Sequence, residues 1–297
     1  MRTGLKDERT DLKAEAQALV EPQQGLGPVL GSPHSAGPED LPSYGPTPEK
    51  KHSWIVTIGP GIVRGFASAG VLKSFRHLKW QVDQIIATEM GALVAALYSS
   101  TQSVNQFEWA LMKVNEDLFM EPQGFLGRLT RGINSEQKLH AYLEKTFQNK
   151  TFKDLRIPLK IVVKRKDTHE YLIIDEGRLA DALKAALAVP GHLPPVRWTL
   201  GKESLMLTSA GGGGSFILEK AREAAHDLIL SLEFSAKRNL TNGFLEREDV
   251  VFLNPNLDDI QEFDFTKKNE SVFRGQETMD RQVSQIQALI LGEKKHD

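Results

Sequence analysis

Residues 85–98, IIATEMGALVAALY, run from an apolar strand through a tight turn of small residues straight into a helix. That layout thrusts the residue at the turn into a pocket, as a nucleophile elbow does. The tip residue is Glu89, an acid, where a hydrolase places serine.

Outward from this turn the pattern stays regular. WIVTI (54–58) is a buried-type strand, followed by a glycine-bearing loop and a helix through FASAGVLKSFRHL. QIIAT is the second strand, and GALVAALYSS the helix after it. Residues 101–150 read as largely helical, with a break around EPQGFLGRLTRG. LKIVV and YLIID are strands with a turn between them, and RLADALKAAL is a helix stopped by Pro190. SLMLT, DLILSLE and VVFLNP supply further strands. A last helix over about 270–291 places Val272, Met279, Val283, Ile286 and Ile290 at helical spacing, as core contacts. Buried-type strands alternating with helices predict an α/β fold whose sheet is mainly parallel and covered on both faces.

Before residue 53 the texture differs. Seven of the 14 prolines fall in VEPQQGLGPVLGSPHSAGPEDLPSYGPTPEKK, where polar filler leaves little to bury. Residues 1–52 are predicted to form a disordered proline-rich tail, with a short helix near 8–20, and residues 53–297 a single domain. Net charge is −2, which argues against a nucleic-acid binder. Peripheral membrane contact stays open, because interfacial binding can rest on a small patch. The chain has no cysteine, which excludes disulfides, thiolate catalysis and cysteine-based metal sites. Its eight histidines show no ligand-type spacing, so neither a metal nor a cofactor is expected. The first 24 residues hold no long apolar run and no segment reaches 18 apolar residues. No signal peptide or transmembrane helix is therefore expected, and the default location is cytoplasmic.

Three stretches together resemble the patatin-like phospholipase family, bacterial lipid acyl hydrolases with a three-layer α/β/α fold. They are IGPGIVRGFASAGVLKSF (58–75), ATEMGALVAALY (87–98), and the run from TFKDLRIPLKIVV through GRLADALKAALAVPGHLPPV to LTSAGGGGSFILEKAREAAHDLILSL. The likeness implies a serine nucleophile, an aspartate base and glycine amides that hold the oxyanion, without histidine. Carried over residue by residue, the elbow G-x-S-x-G falls on Ala87, Thr88, Glu89, Met90 and Gly91, so the nucleophile position holds Glu89. The D-G-G or D-G-A of the base falls on Ser209, Ala210 and Gly211, which puts a hydroxyl at that position. The oxyanion loop G-G-G-G-x-R-G becomes Gly59, Pro60, Gly61, Ile62, Val63, Arg64 and Gly65. Proline at 60 removes an N–H, and a β-branched side chain at 62 resists positive φ.

Glu89 then has a structural reading. At a helix start it meets free amides and the positive end of the dipole, with Arg64 as its ion-pair partner. A looser variant leaves it solvated in an opened cleft. A sharper reading swaps the roles, with Glu89 as base, Ser209 as nucleophile and the amides of 210–214 as a new oxyanion site. The glycines 211–214 form a weak match to a phosphate cradle and read better as a flexible, enlarged loop over the site. Arg64 could instead take an anionic head group, though pairing with Glu89 is the simpler role, and His192 reads as a packed loop residue. Three functions remain: a pseudoenzyme of patatin fold binding a lipid, acyl ligand or protein partner; an atypical lipid acyl hydrolase using the swapped pair; and a structural module whose tail recruits partners.

Overall fold

A computed structural model describes residues 53–101, 103–120, 135–224, 226–234 and 250–291. The proline-rich tail and the break around 121–132 lie outside the described residues. Among the described residues eight strands form one sheet: β1 (Trp54–Ile58), β2 (Gln84–Ala87), β3 (Leu159–Arg165), β4 (Tyr171–Ile174), β5 (Val196–Leu200), β6 (Glu203–Ser209), β7 (Leu228–Leu232) and β8 (Val250–Leu253). Following hydrogen-bonded neighbours, the order is β5-β6-β3-β2-β1-β7-β8, with β4 also on β3. The pairs among β3, β2, β1, β7 and β8 are parallel; β4, β5 and β6 pair antiparallel. β1 and β7 are buried at every position, as expected of parallel strands covered on both faces.

Among the described residues the α-helices are α1 (Ala67–His77), α2 (Glu89–Ser100), α3 (Val104–Met112), α4 (Ser135–Phe147), α5 (Leu179–Ala186), α6 (Gly214–Glu223) and α7 (Lys268–Leu291). α6 covers one face of the sheet, where Ile217, Leu218 and Ala221 pack on Ile55, Ile86, Val162 and Ile229. α2 is apolar all round and buried from Glu89 through Ser99, the pattern of a helix enclosed by other elements. α1 lies between α2 and α7, and its contact with α7 is very close. A Cβ on Gly70 would sit 2.0 Å from the Val272 carbonyl oxygen, and one on Gly275 would sit 2.0 Å from that of Ala67. Only glycine permits the two backbones to touch there. Along α7, Met279, Val283 and Ile286 are buried as their spacing predicts, while Val272 is only half-buried.

Two elements were not foreseen. β5 carries Arg197 and Thr199 on an exposed edge and lacks the apolar run that marks the other strands. The glycines 211–214, expected as an enlarged loop, are a short turn: Gly213 N–H returns to the Ala210 carbonyl at 2.8 Å, and Gly214 already begins α6.

The sheet also explains how two distant residues meet. β4 holds one edge of β3 from Ile161 to Lys164. On the other edge Ile161 pairs with Ala87, the last residue of β2, and Val163 pairs with Ser209, the last residue of β6. β2 and β6 therefore run toward each other along one edge of β3 and end head to head.

Candidate functional site

At that junction β2 ends and the chain reverses into α2. Thr88 is extended (φ −136°, ψ 166°) and Glu89 has φ +50°. A left-handed conformation costs an L-residue about 1–2 kcal/mol, so the surroundings must enforce it. Thr88 Oγ1 donates to the Val162 carbonyl at 2.8 Å, which pins the turn to β3. Gly91 allows α2 to lie against β1, since a Cβ there would fall 2.3 Å from Ile58 Cγ2. Gly65 allows the first loop to lie against Met90 in the same way, at 2.9 Å.

The Glu89 side chain is buried, 3% exposed. Its Oε2 accepts the Gly61 N–H at 2.7 Å, and the Ser209 hydroxyl lies close enough to favour the charged carboxylate. Oε1 faces Gly211, 3.4 Å from where a Cβ would lie. Burial pushes the carboxyl up to about 7. The charge of Glu262 adds to that rise, while the Gly61 amide, the Ser209 hydroxyl and Lys164 oppose it. Arg64 is not the partner expected from the sequence: its Nε donates to the Ile260 carbonyl at 2.8 Å, and among the described residues it makes no ion pair with Glu89. The solvated alternative fails too, because the Glu89 side chain is buried rather than open to solvent.

The first loop is held by its own amides. Gly59 N–H extends the sheet to the Leu232 carbonyl at 3.0 Å, and Val63 N–H reaches the Glu262 carbonyl at 3.0 Å. Pro60 has no N–H to give, which leaves Gly61 as the amide turned to Glu89. Ile62 is fully buried and is not among the positive-φ residues, so its β-branched side chain is accommodated without strain. A 3-10 turn over Arg64–Phe66 leads into α1.

A second carboxyl, Glu233, escaped the reading of the sequence. It follows β7, lies against Gly59 and Gly214, and accepts from Ser231 Oγ at 3.4 Å. Burial pushes it up to about 7 as well. The only hint in the sequence was an acid closing the apolar run DLILSLE. His192 is exposed and stacks on Phe263 with ring centroids 3.7 Å apart. Among the described residues no three acids or histidines converge as metal ligands.

The patatin-like phospholipase family model matches residues 56–215, from β1 to the first turn of α6. The chain belongs to this family. Mouse patatin-like phospholipase domain-containing protein 6 is 25% identical over 146 residues, which cover 48% of the chain and 11% of that protein. The rat domain-containing protein 7 is 22% identical over 192 residues, 63% of the chain and 14% of the relative. The chain thus spans only a small part of these relatives. Among solved structures, the type III effector protein ExoU is similar with a TM-score of 0.47 and 14% identity over 81% of the chain and 54% of that structure. VipD from Legionella pneumophila follows with 0.39 and 12%, over 80% and 68%. Within this patatin-like chain, Glu89, Ser209, Gly61, Gly65, Met90 and Gly91 come together, whereas the side chains of Arg64 and His192 engage Ile260 and Phe263 instead.

Proposed function

We propose that this patatin-fold chain lacks the acyl-enzyme chemistry of the family and acts by binding a lipid or protein partner. The observation that carries the reading is the 2.7 Å hydrogen bond from Gly61 N–H to the Glu89 carboxylate. An oxyanion needs that amide, and an internal carboxylate already occupies it. Loss of a single oxyanion donor removes about 2.7–4 kcal/mol of transition-state stabilisation. Here Pro60 removes a second candidate amide. Attack by Glu89 itself on an ester would form a mixed anhydride. The group in the base position, Ser209, is an alcohol that cannot activate water to break it. Both side chains are sealed from solvent, at 3% and 1% exposure.

One observation favours a second reading, an acyl hydrolase with Ser209 as nucleophile and Glu89 as base. The Ser209 hydroxyl lies close enough to Glu89 to influence its titration, and a carboxyl near 7 is matched to general-base work. Against it stands the burial of Ser209 and the engagement of Glu89 with Gly61. Hydrolysis of short- and long-chain p-nitrophenyl esters and of phospholipids separates the two. The inactive reading expects no turnover above background from the wild type, Ser209→Ala or Glu89→Gln. Wild-type turnover that disappears in both variants establishes the swapped pair instead.

A further inference from the structure

Apart from the buried acids, the surface carries an apolar concentration with a charge pattern of its own. Trp109 and Met112, one turn apart on α3, are 65% and 71% exposed, and Phe273 on α7 is 60% exposed. Met112 and Phe273 line a groove of about 400 Å³ between α3 and α7, whose base is formed by the buried Phe66 and Leu111. Met112 and Phe273 share this groove and Trp109 stands one turn before Met112 on α3, so the exposed apolar side chains are clustered rather than scattered, which marks a contact surface.

The charges say what the surface fits. Lys73 also lines the groove but is neutralised by Glu108 at 2.5 Å. Lys268 is different. Its ammonium donates to the carbonyls of Leu111 and Met112 at the end of α3, each at 3.4 Å, and of Val114 just beyond it at 2.8 Å, and among the described residues no carboxylate pairs with it. Burial pulls it below the usual lysine range, so an anion brought alongside it gains more than it would in open water. The Lys113 ammonium lies over the Trp109 ring, 5.2 Å from its centroid, so a positive charge stands beside the exposed indole. The patch therefore presents projecting tryptophan, methionine and phenylalanine with lysines around them. An apolar phase bounded by anions complements that arrangement.

We infer that the face formed by α3 and the first turns of α7 docks on anionic lipid, inserting Trp109, Met112 and Phe273 among the acyl chains while Lys113 and Lys268 meet the headgroups. The inference names the partner left open in the proposed function and rests on the binding half of that reading, not on the absence of hydrolysis.

The test is co-sedimentation of the full chain with phosphatidylcholine vesicles, with and without phosphatidylglycerol. It compares the wild type, the triple variant Trp109→Ser/Met112→Ser/Phe273→Ser, and Leu200→Ser/Met206→Ser, which alters exposed apolar residues elsewhere. Circular dichroism confirms that each is folded. The wild type and the Leu200/Met206 variant are expected to pellet with the anionic vesicles, and raised salt to weaken that binding. The triple variant is expected to bind at least about a hundredfold more weakly, given roughly tenfold for each large apolar side chain withdrawn from lipid. Tryptophan emission should shift to the blue on binding in the wild type and not in Trp109→Phe. The inference is overturned if the wild type stays in the supernatant with both vesicles, or if the triple variant binds as the wild type does. It is equally overturned if light scattering shows a wild-type dimer that the triple variant dissolves, which would make the patch a self-interface. Vesicle binding together with ester turnover would leave this inference standing and remove the inactive reading; failure of binding in an inactive chain would do the reverse.

Discussion

The Gly61 amide and the Glu89 carboxylate, 28 residues apart in sequence, are joined by a buried hydrogen bond of 2.7 Å. The bond ties the loop after β1 to the turn after β2, and it fills with an internal carboxyl group the space beside the amide.

This arrangement makes stability depend on pH. Glu89 and Glu233 both have carboxyls raised from 4.5 to about 7 in the folded state. Between those values the folded chain holds protons that the unfolded chain has released, so stability falls as pH rises. Each group contributes a slope of about 1.4 kcal/mol per pH unit while it alone differs between the states. The contribution is complete below the unfolded value and lost once pH passes the folded one. Urea unfolding between about pH 5 and about pH 8 should show this decline. Glu89→Gln keeps an acceptor for Gly61 and should flatten part of it, leaving the share of Glu233.

Restoring the chemistry of the family should restore some activity. Glu89→Ser with Ser209→Asp frees the Gly61 amide and supplies a nucleophile and a base. Slow hydrolysis of short p-nitrophenyl esters is expected, with an initial burst from the acyl-enzyme. Adding Pro60→Gly returns a donor and should raise kcat by up to about a hundredfold. Silence in both variants would mean that the three positions do not form a hydrolytic site.

The elbow should also be sensitive to its hydroxyl. Thr88→Val removes the donor to the Val162 carbonyl while keeping the shape of the side chain. An unfilled buried acceptor should cost about 1–3 kcal/mol, read from the urea midpoint at constant m-value.

Glycine substitutions should rank by what a methyl would strike. Gly70→Ala and Gly275→Ala meet backbone at 2.0 Å and should be the most damaging, at about 3 kcal/mol or more. Gly91→Ala meets the Cγ2 branch of buried Ile58 at 2.3 Å with Ile58 Cβ at 3.1 Å, and about 1–3 kcal/mol is expected as helix and strand shift apart. Gly177→Ala has open space but φ +88°, so only the conformational penalty of about 1 kcal/mol applies. Thermal unfolding of the four variants checks the order.

Much of the frame was legible because it is written locally. β1 coincides with WIVTI, and β2 with QIIAT to within a residue, since unbroken apolar runs flanked by small residues leave few alternatives. The elbow could be read because the strand, small residues and helix are contiguous. β5 stayed hidden because an edge strand with arginine and threonine needs no apolar periodicity. α6 was masked by its glycines, although Ile217, Leu218 and Ala221 fall at helical spacing. The contacts of the site were harder. Arg64 finds its acceptor 196 residues away, and nothing near it in sequence announces a carbonyl. The meeting of Glu89 and Ser209 depends on two strands ending face to face along β3, a fact of topology that only the family likeness could suggest.

The glycine crossing of α1 and α7 has a consequence for the end of the chain. With carbonyls where side chains would normally interleave, the two helices have no layer in which to slide, and they form a single rigid strut. The strut stands behind Phe66 and hence behind the loop that carries Gly61. Truncation ahead of Gly275 would therefore not trim a peripheral appendage; it would withdraw the buttress of the amide that grips Glu89.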